Sequence, residues 1–188
     1  NIASDIKTTD GTVNIENKQG DLELTDTSAG SATKGIAIKN TNNAQKIAIS
    51  GTVSNRNNDV IISSLNGLTI SNAITNETGD INISNNTGIS AISGAITNNN
   101  GDITVTNNGT TGITSAITAN IGDVTVASNG LTVVGITTNK GDITLTSSNG
   151  YSQSGDIINQ NGNTVISSTN GANIARSEER RVGKECRS

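Results

Sequence analysis

One motif returns along this chain at a nearly constant interval, and that interval limits the folds open to it. Gly-Asp followed by an apolar-polar-apolar triplet stands at Gly79-Asp80, Gly101-Asp102, Gly122-Asp123 and Gly141-Asp142. Asn58-Asp59 and Gly162-Asn163 are variants of it. Successive starts are 21, 22, 21, 19 and 21 residues apart. Self-similarity at such a period marks a repeat architecture, in which each unit buries its apolar edge only against its neighbours. Two divergent units fit upstream, from near Gly11 and Gly35, 24 and 23 residues long.

Within each unit the apolar residues fall into three short segments. The first alternates as a half-buried strand does: Ile81 and Ile83 flank Asn82, Ile103 and Val105 flank Thr104, Val124 and Val126 flank Thr125, and Ile143 and Leu145 flank Thr144. The apolar pair is expected to point inward and the middle residue outward. The third segment repeats as Ile74, Ile96, Ile117, Ile136 and Ile157, spaced by 22, 21, 19 and 21 residues. Two series of apolar positions thus move in step. Between segments lie Asn- and Gly-rich clusters such as Asn107-Asn108-Gly109 and Ser148-Asn149-Gly150. Both residues tolerate the positive φ of a sharp corner. Corners this frequent break any helix of useful length.

Three strands and three corners per unit describe an all-β fold, a three-sided parallel β-helix (β-solenoid) with about 21 residues per coil. Like residues stack on like, which fills a narrow core with Ile, Leu and Val. Stacked Asn side chains can bond to one another and to turn carbonyls. About eight coils at ~4.8 Å per coil give a rod of roughly 40 Å. Residues 1–175 form this rod, with divergent coils over 11–57 and regular ones over 58–175.

Composition fits a narrow stack better than a compact core. Phe, Trp, Met, Pro and His are missing, and Tyr151 is the only aromatic residue. Polar, glycine-containing chains are often disordered, but disorder does not space its Ile and Val in step. Net charge is −4, from 12 basic and 16 acidic residues, with no basic stripe. Nucleic-acid binding is therefore not expected. No apolar run is long enough to cross a membrane as a helix, so membrane insertion is not expected either. The first residues, Asn1-Ile2-Ala3-Ser4-Asp5, lack the basic and apolar regions of a signal peptide. That is the pattern expected of a mature or internal fragment.

Residues 176–188 break the pattern. They carry five of the 12 basic residues and the only cysteine, Cys186. Without them the body has 7 basic and 13 acidic residues. This tail resembles a translated adapter-derived peptide, and the reading expects it to be artefactual or disordered; the rival is a native basic tail that contacts a partner. One cysteine supports neither a disulfide nor a metal site.

The strings Gly-Asp-Ile-Thr-Val-Thr (Gly101–Thr106), Gly-Asp-Val-Thr-Val (Gly122–Val126) and Gly-Asp-Ile-Thr-Leu-Thr (Gly141–Thr146), with the Asn-Gly corners, resemble the repeat region of filamentous-haemagglutinin-type adhesins, including leukotoxin-like filamentous adhesins. The resemblance spans residues 11–175. It implies a structural stalk within a large secreted bacterial surface protein, exported through an outer-membrane secretion transporter. It also implies attachment to receptors on host cells or neighbouring bacteria. The repeat is too uniform for one coil to stand out as a binding site; the longer loops around Lys18-Gln19 and Asn40–Asn43 could hold a receptor contact, but the sequence does not single them out.

Catalysis, cofactors and metals are not expected. A β-helix polysaccharide-active enzyme needs a carboxylate pair or a base gathered in one groove. The acids here are mostly Gly-Asp anchors: Asp21, Asp59, Asp80, Asp102, Asp123, Asp142 and Asp156. Most recur once per coil, as a structural corner does. Each is expected to cap its corner by accepting from nearby backbone N–H groups. The calcium-binding nonapeptide pattern is missing, for there is no Gly-Gly and the period is wrong. An ice-binding face needs unbroken outward Thr-x-Thr rows. Thr104 with Thr106 and Thr144 with Thr146 match, but Ala127 and the Asn82–Ser84 pair interrupt them. The Asn-x-Ser/Thr triplets at Asn76, Asn82, Asn85 and Asn108 are expected by chance in such a composition.

Overall fold

The computed structural model describes residues 35–41 and 46–174, together with the strands Ile6–Thr8, Val13–Asn17, Leu22–Leu24 and Thr27–Ala29. In chain order the strands are β1 (Ile6–Thr8), β2 (Val13–Asn17), β3 (Leu22–Leu24), β4 (Thr27–Ala29), β5 (Ile36–Asn40), β6 (Ile47–Ile49), β7 (Val53–Asn55), β8 (Val60–Ile70) and β9 (Ile74–Asn76). They continue as β10 (Ile81–Ile92), β11 (Ile96–Asn98), β12 (Ile103–Ala119), β13 (Val124–Thr138), β14 (Ile143–Ser147), β15 (Tyr151–Gln153), β16 (Ile157–Asn159), β17 (Thr164–Ser168) and β18 (Ala172–Ile174). Every pairing is parallel, and no helix occurs among the described residues. The chain is a β-solenoid of about seven turns with about 21 residues per turn.

Each turn has three sides. Early turns use three separate strands, as in β5, β6 and β7. In β12 and β13 one strand runs through all three sides, with the corners recorded as shifts in register. On the first side Ile36, Val60, Ile81, Ile103, Val124 and Ile143 stack in one column, and Ile38, Ile62, Ile83, Val105, Val126 and Leu145 in another. The third side stacks Val53, Ile74, Ile96, Ile117, Ile136 and Ile157. Parallel in-register pairing places identical residues one strand spacing apart, so β-branched side chains nest without aromatic bulk.

Ile81, Ile83, Ile103, Val105, Val124, Val126, Ile143, Leu145, Ile74, Ile96, Ile117 and Ile136 all lie in the core, none more than 2% exposed. The second side adds a further column through Ile49, Ile70, Ile92, Ile113 and Val133. Its companion column is uneven: Ile47, Leu68, Ser90, Thr111, Leu131, Tyr151 and Ala172. Tyr151 is thus buried above Leu131, and its hydroxyl donates to Gln153 Oε1 at 3.0 Å.

Gly35 lies beside Asp59, the carbonyl of which accepts from Ile36 N at 2.9 Å. Motif spacing alone, with a turn starting near Gly35 and the next at Asn58, places it one residue away. The last turn, β16 to β18, has its inward residues half-buried or exposed, with Ile174 52% exposed. The tail expected at 176–188, Cys186 and the Lys18-Gln19 loop lie outside the described residues. So do Asn42 and Asn43. Asn40 points inward and is 1% exposed, so it offers no receptor contact.

Candidate functional site: the Gly-Asp corner and the polar columns

The corner before the first side is the most regular feature of the molecule. From Asn58 onward its leading residue has positive φ: Asn58 at 71°, Gly79 at 94°, Gly101 at 142°, Gly122 at 136° and Gly141 at 144°. Close stacking adds a second demand. A Cβ on Gly101, Gly122 or Gly141 would sit 2.1 Å from the carbonyl oxygen of the glycine one turn before. Glycine alone satisfies both.

The aspartate that follows binds turn to turn. Asp59 Oδ1 accepts from Asp80 N at 2.9 Å, Asp80 Oδ1 from Asp102 N at 2.9 Å, and Asp102 Oδ1 from Asp123 N at 2.8 Å. Asp123 Oδ1 then accepts from Asp142 N at 2.7 Å, and Asp142 Oδ1 from Asn163 N at 2.6 Å. The carboxylates do bond to backbone N–H groups, but across turns and not within their own corner. A charged acceptor makes each of these bonds stronger than a neutral one. One acid departs from the sequence reading. Asp156 lies at the corner before the third side, where its carbonyl accepts from Ile136 N at 3.0 Å, so it is no member of this column. Asp21 is outside the described residues.

Amides and hydroxyls line the inside of this corner and of the corner after the first side. Inside, at the end of the third side, stand Asn55, Asn76, Asn98, Ala119, Thr138 and Asn159. Asn76 Nδ2 donates to the carbonyls of Asn58 at 3.0 Å and Gly79 at 2.9 Å. Asn98 Nδ2 donates to those of Gly79 at 2.9 Å and Asp102 at 3.1 Å. One amide therefore staples two successive corners. The Oδ1 atoms of Asn55, Asn76 and Asn98 find no partner in the protein. After the first side the inward column is Ser64, Asn85, Asn107, Ser128 and Ser147. Ser128 Oγ alone reaches Gly109 O at 2.8 Å, Gly130 O at 2.9 Å and Thr111 Oγ1 at 3.0 Å. Outside, Asn139 donates to Asn120 at 3.1 Å and Asn120 to Asn99 at 2.8 Å, an amide-to-amide ladder. Arg56 and Glu77 replace it in earlier turns with an exposed ion pair at 3.3 Å.

The surface offers shallow grooves along the corner that ends the first side. One is lined by Ser84, Asn86, Thr106 and Asn108, and the adjoining one by Ala127, Asn129, Thr146 and Ser148. No acid or base lines either groove. Among the described residues no three His, Cys, Asp or Glu side chains converge as metal ligands. The carboxylates are instead strung along the rod. The third side presents an outward column that the sequence reading did not identify: Thr75, Thr97, Thr118 and Thr137, bounded by Ser54 and Ile158. Its signal in the sequence is the recurring Ile-Thr of the third segment. It is one residue wide, since the Ile before each Thr and the Asn, Ala119 or Thr138 after it point inward, so it makes no Thr-x-Thr face.

No protein-family model, curated protein or solved structure matches this chain.

Proposed function

We propose that the chain is a structural stalk segment of a large secreted bacterial surface adhesin. The observation that carries this reading is the stacking repeated on every side. Interior columns, corner aspartates and corner amides each repeat turn after turn, so the sequence is organised to extend a rod and not to enclose a substrate. A solenoid of this kind adds length at a constant cost per turn. The resemblance of the Gly-Asp-Ile-Thr strings to filamentous-haemagglutinin-type repeats supports the same reading. In it the chain is secreted to the bacterial surface, an outer-membrane transporter is the export partner, and receptors on host cells or neighbouring bacteria are the ultimate targets. The rod projects binding sites and has no catalytic role.

Reading the gene through codon 176 and into its neighbours tests this directly. The expected result is a frame that continues into further coils of the same register, with a gene for an outer-membrane transporter nearby. A frame ending at Ser188, with neither transporter gene nor export signal, would refute the adhesin reading and leave the fold intact.

A further inference from the structure

The two grooves at the corner after the first side are one trough. They hold about 320 and 310 Å³ and share Thr106, Asn107 and Asn108, so together they cross five successive turns. At ~4.8 Å per turn the trough is roughly 19 Å long. Its floor is the inward column, in which Asn85 and Asn107 are 3% and 4% exposed. Bonds within the stack hold these amides in place. Asn107 Nδ2 donates to Thr110 O at 2.9 Å and its Oδ1 accepts from Gly109 N at 2.9 Å. Asn85 Oδ1 accepts from Gly67 N at 3.0 Å.

Two rows of outward side chains form the walls. One is Ser63, Ser84, Thr106, Ala127 and Thr146, paired in register from turn to turn. The other, two residues further along each turn, is Leu65, Asn86, Asn108, Asn129 and Ser148. The turns on both sides of Ser84, Thr106 and Thr146 are described, and none of these three hydroxyls bonds within the chain. Asn108 Nδ2 donates to Asn86 Oδ1 at 3.0 Å, which aligns the two amides along the wall. Hydroxyls and amides both donate and accept. Turn after turn, the groove offers both functions at a constant step.

Those properties select an occupant. The Gly-Asp carboxylates stand at the far end of the first side. Thr106 is four residues from Asp102. In a strand that is about 13 Å at ~3.3 Å per residue, beyond a Debye length of ~8 Å. With no charged lining, the groove gives a polyanion or polycation nothing to pair with. An apolar segment finds only Leu65 and Ala127 among the lining residues. An extended peptide sets its same-face side chains roughly 6.6 Å apart, out of step with turns at ~4.8 Å. A pyranose unit in a straight 1,4-linked chain advances by close to one turn, and its hydroxyls also donate and accept.

We propose that this groove binds a neutral, linear polysaccharide laid along the rod, with one sugar unit to each turn. Each contact is weak, because a hydrogen bond to water is exchanged for one to a sugar. Affinity comes from repetition over successive turns. The site belongs to the stack and not to any single coil. The proposal concerns the groove alone and does not depend on the rod being part of an adhesin.

The full chain, isotope-labelled, is titrated with cellohexaose, mannohexaose and chitohexaose and followed by nuclear magnetic resonance. At least one of the three is expected to give saturable shifts below about 10 mM, concentrated at residues 84–86, 106–108 and 127–129. The matching disaccharide is expected to bind at least about tenfold more weakly, since most of the hydrogen bonds are lost. Asn108→Arg lays a long charged side chain across the middle of the groove from an exposed position. It is expected to weaken the hexasaccharide at least about tenfold, whereas Thr75→Arg on the third side leaves it unchanged. Thr106→Val removes one central hydroxyl and is expected to cost about threefold. Thermal melting followed by circular dichroism checks that each variant folds. The proposal is overturned by absence of shifts with all three glycans, by shifts lying outside the groove, or by equal affinity for disaccharide and hexasaccharide. Equal behaviour of Asn108→Arg and Thr75→Arg overturns it too. Tighter binding of a heparin hexasaccharide or of a neutral serine-glycine dodecapeptide would assign the groove to a polyanion or a peptide instead.

Discussion

Ile117→Ala and Ile157→Ala remove the same atoms from the same column, forty residues apart, and should differ severalfold in cost. Ile117 is 0% exposed, and the Ile96 and Ile136 packed on either side of it are 0% and 1% exposed. The substitution deletes three buried carbons, worth ~2.4 kcal/mol at ~0.8 kcal/mol each. The flanking turns are fixed by backbone pairing on both sides, so the gap cannot close fully. The cavity raises the total to about 3–4 kcal/mol. Ile157 belongs to the last described turn and is only half-buried. Its side chain already meets water on one side, and truncation there should cost about 1 kcal/mol. Urea denaturation followed by far-ultraviolet circular dichroism measures both, with the slope monitored because long repeats lose two-state behaviour. Equal losses at the two positions, or a loss at Ile117 below about 1 kcal/mol, would refute the register and the packing deduced from it.

Four further perturbations probe different layers of the same stack. Ile103→Asp puts an unpaired charge where exposure is 0% and should unfold at least the adjoining turns, seen as new hydrogen exchange in β10 and β13; an unchanged melting curve would count against the column assignment. Gly122→Ala drives a Cβ to 2.1 Å from Gly101 O at φ 136° and should cost several kcal/mol, ~3 or more, whereas Gly112→Ala, with open space around it, should cost ~1 or less in thermal denaturation. Asp102→Ala removes the acceptor for Asp123 N and should lower stability by about 1–2 kcal/mol in urea, and a neutral outcome would show that water replaces the carboxylate. Burial pushes the Tyr151 phenol up from 10.0 to about 12. The folded state therefore favours the protonated form. The resulting stability is fully present below pH 10 and is lost as pH rises from 10 towards about 12. Tyr151 is the only tyrosine, so phenolate absorbance reports it alone, and a midpoint near 10 in the folded chain would contradict its burial.

The first and third sides were legible because their inward positions are almost always Ile, Leu or Val, so the eye finds Ile81, Ile103 and Val124 without help. The second side was so only in part: its segment can be read at Gly112-Ile113-Thr114, and one of its inward columns, through Ile70, Ile92 and Ile113, is apolar, but the companion column passes through Ser90, Thr111 and Tyr151, where the matching positions are Leu68 and Leu131. The polar members are admitted because neighbouring corner side chains satisfy them: Asn85 Nδ2 donates to Ser90 Oγ at 3.2 Å and Ser128 Oγ to Thr111 Oγ1 at 3.0 Å. A column held partly by apolar packing and partly by internal hydrogen bonds has no single hydrophobic signature. The Gly-Asp motif, by contrast, announced its position but not its partner. Local capping and bonding across turns require the same residue at the same spacing, and only the stacked geometry separates them. The inward asparagines Asn55, Asn76 and Asn98 read in sequence as members of polar loops, because a buried amide and a solvated one look alike until the carbonyls it serves are placed.

Turn length shows what the stack will tolerate. The regular turns vary from 19 to 22 residues, yet the Gly-Asp corner and the third-side column stay in register throughout. The slack is taken up where the register shifts, between Asn85 and Ser90 against the next turn and between Asn107 and Thr110 in the turn after. These are the corner loops rich in Asn and Gly, where backbone with positive φ costs little. The strands cannot absorb a one-residue change, since a slip would turn every inward side chain outward. Length variation is thus taken up at the corner after the first side and, between β12 and β13, also between Ile113 and Ala116 at the corner before the third side, while the Gly-Asp corner is held by both a steric limit of one glycine and a carboxylate bond to the next turn. That corner sets the phase of each turn, and the loops at the other corners absorb the differences in length.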